Sequence, residues 1–102
     1  MVYNIINQPK KTIEIGNQIL KFDFYNYYGN YYYIQALNKL KNYKFSYSLI
    51  IKMLKLYPTS ILYLNSLTNW YYLNNNINKV KEYSNIILSL DPNNIQAKNY
   101  LK

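Results

Sequence analysis

The sequence repeats itself with a 34-residue period. Three related stretches stand at this interval, namely ILKFDFYN (19–26), MLKLYPTS (53–60) and ILSLDPNN (87–94). Pro58 and Pro92 share the register, as do Leu20, Leu54 and Leu88. A fixed period of this length is typical of proteins that stack one small structural unit, because each unit leaves apolar surface that only a neighbour covers.

Apolar residues inside each period follow helical spacing. In KVKEYSNIILSL, for example, Val80, Tyr83, Ile87 and Leu88 fall three or four residues apart or side by side and form one stripe. The run NNN at 74–76 favours a turn followed by a helix cap. Asp91 and Pro92 favour a helix start, with Asp as the cap and Pro in the first turn. The pattern predicts six helices, at about 9–22, 27–40, 43–56, 61–74, 77–90 and 93–102, with residues 1–6 as the stub of another.

The stretch TIEIGNQILKFDF (12–24) allows a second interpretation. Its residues alternate partly, and Gly16-Asn17 could form a two-residue hairpin turn. An isolated hairpin is marginally stable, whereas a helix here shares the 34-residue register. We therefore expect a helix.

The repeat resembles the tetratricopeptide family, whose pattern is W-x2-L-G-x2-Y, then A-x3-F, then P. Residues 61–94 match it most closely and 27–60 more weakly. In 61–94 the matching residues are Leu64, Leu67, Thr68, Tyr71, Val80, Ser84 and Pro92. In 27–60 they are Asn30, Tyr33, Ile34, Leu37, Ser46, Ile50 and Pro58. Residues 1–26 resemble part of a repeat, and 95–102 a capping helix or the start of another. The resemblance implies one all-α domain over 1–102, a right-handed superhelical array of antiparallel helix pairs (an α-solenoid).

Two departures from the family pattern affect helix packing. Ile34 and Thr68 stand where the family has glycine, and Ser46 and Val80 stand where it has alanine. We expect wider helix spacing than the family norm.

Composition argues against catalysis. The chain has no Cys and no His, which removes thiolate metal sites and the commonest general base. The four acids are Glu14, Asp23, Glu82 and Asp91, and the repeat spreads them along the array. No glycine-rich loop is present to hold phosphate. We expect no enzyme activity, no metal site and no cofactor.

The net charge of +8 comes from lysine alone, because the chain contains no Arg. Asn, Ile, Lys and Tyr have AT-rich codons, so we expect an AT-rich genome, which would account for part of this charge. No apolar run reaches the ~18 residues of a membrane span, and the N-terminus has no signal-peptide pattern. We expect a cytoplasmic protein, or one made inside an organelle, that is not secreted.

The family resemblance implies a function in binding proteins or peptides. First helices of the repeats line a concave groove in this family, and Asn, Gln and Tyr side chains suit a peptide backbone. The resemblance places these residues in the groove: Tyr28, Tyr31, Gln35, Asn38, Leu62, Asn65, Asn69, Tyr72, Gln96 and Asn99. Some members clamp a chaperone's terminal carboxylate with Lys, Asn and Arg. The matching sites here hold Tyr31, Gln35, Ser66, Gln96 and Tyr100, so we expect no such clamp.

Two alternatives remain open for the function. Lysines concentrated on second helices, at 41, 44, 52, 55, 79 and 81, could bind RNA, DNA or an anionic membrane, and the cluster YNYYGNYYY (25–33) could stack on bases. Without Arg, however, bidentate phosphate or base contacts are missing, so nucleic acid is not the expected partner. The chain could also self-associate through exposed end repeats.

Overall fold

All regular secondary structure in the described part of the chain is helical. The structure is a computed structural model that describes residues 10, 13, 14, 17, 23 and 25–102, and none of these lies in a β-strand. Within the described part of the chain, the helices with defined bounds are α1 (Tyr27–Lys39), α2 (Tyr43–Leu56), α3 (Ile61–Leu73), α4 (Ile77–Leu90) and α5 (Ile95–Tyr100).

The bounds of the first four helices repeat at the interval seen in the sequence. Helices α1 and α3 each have 13 residues, and α2 and α4 each have 14. Helices α3 and α4 each begin one full 34-residue period after their counterparts α1 and α2. The predicted bounds for these helices are confirmed to within one residue, because Leu40 and Asn74 are C-caps rather than helical residues.

The first predicted helix falls mostly outside the described residues. Lys10, Ile13, Glu14 and Asn17 are helical, which agrees with the helix predicted at 9–22. Three of these positions fall within the stretch considered for a hairpin, so they do not support strands there. Gly16, the N-terminal stub at 1–6 and the matched positions 19, 20 and 22 lie outside the described residues.

The same kind of N-cap begins the first helix of each repeat, namely α1, α3 and α5. Asparagine or serine side chains can accept one of the unpaired N–H groups at a helix start. Three such caps stand at the interval of the sequence repeat, and each accepts the backbone N–H three positions on: Asn26 from Gly29, Ser60 from Tyr63 at 3.3 Å, and Asn94 from Ala97 at 2.9 Å. The turns before them also match, with N–H···O bonds from Asn26 to Asp23 (3.1 Å), Ser60 to Tyr57 (3.1 Å) and Asn94 to Asp91 (3.0 Å).

The turn that joins α1 to α2 and the turn that joins α3 to α4 match as well. The N–H of Asn42 donates to the carbonyl of Leu37 at 2.8 Å, and that of Asn76 to Tyr71 at 2.9 Å. In each turn the residue just before this donor, Lys41 or Asn75, has a φ of 61°. This left-handed residue and its six-to-one hydrogen bond make a Schellman motif. Asn76 also caps α4, accepting from Lys79 at 3.2 Å, so the predicted turn and cap at 74–76 are confirmed.

Burial follows the same period. Met53 and Ile87, which are equivalent, are both fully buried, whereas Leu56 and Leu90 are 48% and 46% exposed. Other equivalent pairs are buried together: Ser46 with Val80, Ile50 with Ser84, Ile34 with Thr68, Tyr33 with Leu67, and Tyr63 with Ala97. Equivalent buried positions thus hold apolar, hydroxyl-bearing or aromatic side chains of different volume. The 34-residue period of burial is kept in spite of these differences.

The chain divides into two compact units, Met1–Met53 and Leu54–Lys102. In the second unit, α4 packs against both α3 and α5. Leu64, Ile87 and Ala97 form its buried core, with Leu54, Ile61, Tyr83 and Leu88 packed around them. The rings of Tyr71 and Tyr83 stack at 5.6 Å across α3 and α4. In the first unit, the ring of Tyr33 meets that of Phe45 edge-on at 5.8 Å and joins α1 to α2.

The last helix is shorter than predicted. It begins at Ile95 rather than at 93, because Asn94 is its N-cap, and it ends at Tyr100. The assignment of Asp91 as the cap was therefore wrong. Asp91 instead closes α4, and its carbonyl and carboxylate both accept hydrogen bonds from Asn94. None of the helices in the described part of the chain is long and apolar enough to cross a membrane.

Candidate functional site

The four groove residues predicted on α1 share one helical stripe. Tyr28, Tyr31, Gln35 and Asn38 are spaced three or four residues apart, which places them on one side of the helix. Tyr28 is 63% exposed, and the other three are half-buried. The stripe therefore presents two tyrosine rings and two carboxamide side chains that are at least partly exposed to solvent.

A matching stripe runs along α3. Leu62, Asn65 and Asn69 are half-buried, and Tyr72, at the end of the helix, is 52% exposed. These residues stand at the same spacing as the α1 set. Both stripes are partly open to solvent, which a recognition surface requires and a core stripe would not show.

A side chain of α5 contacts the α3 stripe. The hydroxyl of Tyr100 donates to Asn69 Oδ1 at 3.3 Å, and its ring lies 5.4 Å from that of Tyr72 in a tilted arrangement. The two predicted residues of α5, Gln96 and Asn99, are exposed. The second unit thus brings together carboxamides and tyrosines from helices that lie far apart in sequence.

The surroundings of Tyr100 perturb its ionisation. Burial raises the pKa of the Tyr100 hydroxyl, and the neighbouring Tyr72 raises this pKa further. Both causes disfavour the phenolate. The raised pKa is consistent with the Tyr100 hydroxyl acting as the donor in its bond to Asn69.

Two of the predicted carboxamides have an unused acceptor. Oδ1 of Asn38 and Oδ1 of Asn65 are enclosed and accept no hydrogen bond from any described residue. An enclosed acceptor without a donor costs about 1–3 kcal/mol.

The predicted site residues are divided between the two units. The α1 set lies in the first unit, and the α3 and α5 sets lie in the second. In the second unit, Asn69 and Tyr72 are both in contact with Tyr100, which the family pattern did not select as a groove residue. The sequence signal for Tyr100 is weak, because the position one period earlier holds Ser66. The Ser66 hydroxyl donates to the Leu62 carbonyl of its own helix.

The second unit also contains a pocket that the sequence did not indicate. Its volume is about 400 Å³. It lies beside the Tyr72–Tyr100 pair and is lined by Tyr72, Ile77, Val80, Asn99, Tyr100 and Lys102.

Within the described residues, no group of three His, Cys, Asp or Glu side chains could hold a metal ion. The ion pair found there joins Lys79 Nζ to Glu82 Oε2 at 3.2 Å on the surface of α4. In the first unit, the Lys52 ammonium lies 5.7 Å from the ring centre of Tyr25, and partial burial lowers the pKa of Lys52.

Comparison with known proteins gives no match to a family model, to a curated protein or to a solved structure. The structural repeat and the partly exposed stripes are therefore the basis for the functional proposal.

Proposed function

We propose that this protein is a non-catalytic interaction module that binds a peptide or a helix of another protein. In this proposal, helix pairs of the tetratricopeptide type stack in an array, and their first helices line a concave groove. The main support is the recurrence of caps and turns with the 34-residue period, from the N-caps Asn26, Ser60 and Asn94 to the left-handed residues Lys41 and Asn75. Recurrence at this level means that the backbone, and not only the composition, is built from one repeated unit.

The chemistry of the first helices supports peptide recognition. Carboxamides can donate to and accept from an extended backbone. The stripes supply Gln35, Asn38, Asn65 and Asn69, and the side-chain oxygens of Asn38 and Asn65 accept no hydrogen bond from the described residues. Exposed Tyr28 and Tyr72 supply contact area at a low entropic cost.

Electrostatic binding of nucleic acid or an anionic membrane is the alternative. It rests on the net charge of +8. The lysines on α2 and α4 include Lys44, Lys55 and Lys81, which are exposed. Salt concentration separates the two proposals, since phosphate binding weakens steeply between ~50 and ~200 mM salt.

The proposal is tested by selecting a peptide and then removing the carboxamides. A random peptide library displayed on phage is selected against the intact protein, and the affinity of the enriched peptide is measured by fluorescence anisotropy. We expect the double variant Asn65→Ala, Asn69→Ala to weaken binding by about tenfold or more, because each lost hydrogen bond contributes about 0.5–1.5 kcal/mol. The matched control is Asn78→Ala, Asn85→Ala, which removes two exposed carboxamides from the second helix α4.

Circular dichroism verifies that both double variants remain folded. Equal affinities for the two variants would contradict the proposal. So would a loss of binding of about tenfold or more between ~50 and ~200 mM salt, which favours the electrostatic alternative.

A further inference from the structure

Tyr100 of α5 holds one carboxamide of the α3 stripe by its oxygen. The Tyr100 hydroxyl donates to Asn69 Oδ1 at 3.3 Å. A carboxamide carries its acceptor oxygen and its NH₂ donor on one planar carbon, so a bond that fixes the oxygen also fixes the direction of the nitrogen. Among the described residues, the structure shows a hydrogen-bond partner for the Asn69 oxygen but none for Nδ2. The donor half of this half-buried side chain is therefore the half left for a partner.

The Tyr100 side chain is itself held in place. Ala97 of the same helix is buried in the core of the second unit with Leu64 and Ile87. The Tyr100 ring lies 5.4 Å from that of Tyr72 in a tilted arrangement. A site residue keeps its orientation when neighbouring packing and hydrogen bonds restrict its rotamers. Tyr100 meets this condition and can pass it on to Asn69.

We propose that Tyr100 is a positioning residue, which holds Asn69 so that Nδ2 donates to a backbone carbonyl of the partner peptide. The inference rests on the proposed function and deepens it by assigning the atom of the carboxamide that the partner meets. An extended peptide presents a carbonyl acceptor at every residue. A carboxamide that is already oriented loses little conformational entropy when it bonds to one of them.

Removing the Tyr100 hydroxyl tests the positioning role. Tyr100→Phe keeps the ring beside Tyr72, and the phage-selected peptide is the probe. We expect about threefold weaker binding, which is in the lower part of the range for one hydrogen bond because 3.3 Å is long for a hydroxyl donor. Tyr83→Phe is the matched control, since Tyr83 is another half-buried tyrosine of the second unit. It should leave the affinity unchanged.

A double-mutant cycle separates positioning from a general effect on α5. Asn69→Ala removes the group that Tyr100 holds, so adding Tyr100→Phe to it should cause no further loss of affinity. If the hydroxyl acted only by stabilising the packing of α5, its removal would weaken binding by the same factor in both backgrounds. Equal factors would therefore overturn the proposal, as would native affinity of Tyr100→Phe alone. Circular dichroism verifies that each variant is folded.

Aspartate at position 69 tests which atom meets the partner. In Asn69→Asp the side-chain oxygens still accept from Tyr100, but no N–H remains to donate. We expect this variant to bind at least as weakly as Asn69→Ala, because it sets an acceptor against the peptide carbonyl. Asn85→Asp, at an exposed position of α4, adds the same charge and should bind normally.

The aspartate variant keeps the Tyr100 hydroxyl, so it tests the proposal even if Tyr100→Phe fails to fold. Native affinity of Asn69→Asp would overturn the proposal, because the partner would then be using the oxygen of residue 69 and not its nitrogen.

Failure of the positioning role can be told from failure of the proposed function. If Asn69→Ala weakens binding and Tyr100→Phe does not, the groove stands and the role of Tyr100 is wrong. If the variant Asn65→Ala, Asn69→Ala binds the peptide as tightly as its α4 control does, the proposed function is wrong and the positioning role is refuted with it.

Discussion

Lys41 and Asn75 occupy the same left-handed position in successive turns, with φ 61° in each. Glycine adopts this conformation without a steric penalty and asparagine tolerates it, but a lysine side chain does not favour it. The repeat therefore places one well-suited and one poorly suited residue at equivalent positions. Lys41 is strained by the geometry of its turn.

Replacing these two residues by glycine should have unequal effects. We expect Lys41→Gly to raise the free energy of unfolding by about 0.5–1 kcal/mol, because the relief of strain exceeds the entropy that glycine adds to the unfolded chain. Asn75→Gly should change it by much less. Urea unfolding measures both variants, and destabilisation by Lys41→Gly would show that the turn is not left-handed at this residue.

Ser46 and Ser84 are both fully buried, yet their hydroxyls differ. Ser46 Oγ donates to the Tyr43 carbonyl at 3.1 Å, whereas Ser84 Oγ has no hydrogen-bond partner among the described residues. Enclosing an unpaired hydroxyl costs about 1–3 kcal/mol. The family pattern could not distinguish the two serines, since the difference lies in the local hydrogen bonding.

Alanine substitution at these serines should therefore give different results. Ser84→Ala is expected to stabilise the protein by about 1 kcal/mol, because it removes the unpaired hydroxyl and favours helix. Ser46→Ala should be neutral or slightly destabilising. Thermal and urea unfolding of the pair test this, and the account of Ser84 fails if its alanine variant is the less stable one.

At the scale of the helices, local signals in the sequence set most of the structure. The bounds of α1 to α4 could be predicted because polar caps, asparagine turns and apolar spacing agree in each period. The start of α5 was misassigned because Asp91, Asn93 and Asn94 are all suitable caps. Asn94 is the cap in the structure, at the position that corresponds to Ser60 and Asn26, and the 34-residue register could have selected it.

Loss of a first-helix cap should destabilise the protein. Ser60→Ala removes the acceptor for the Tyr63 N–H, so we expect a loss of about 1 kcal/mol in the free energy of unfolding. Ser89→Ala is the matched control, because Ser89 is an exposed residue near the end of α4 whose hydroxyl donates to the carbonyl of Ile86 in its own helix. It should change stability by less than about 0.5 kcal/mol. Equal losses in the two variants would mean that the Ser60 cap contributes nothing.

At the scale of the whole molecule, the sequence predicts the repeated helix pair and the helical stripes, but it does not predict which side chains meet across them. The bond from Tyr100 to Asn69 joins residues that the chain separates by 31 positions. It depends on how α5 packs, and Ala97 of α5 is buried in the core with Leu64 and Ile87. The pocket beside it was missed for the same reason, since Ile77 and Lys102 come together only through packing.

The central claim is that one 34-residue period makes one structural unit that stacks on its neighbours. The most direct test inserts a second copy of the segment 61–94 after Asn94 and follows unfolding by circular dichroism. In a stacked array each added unit contributes its own stability and one more interface, so the longer protein should keep its helical content per residue and unfold at a higher urea concentration. The control insertion contains the same segment in scrambled order. An unfolding midpoint that does not rise, or that matches the scrambled control, would contradict the claim.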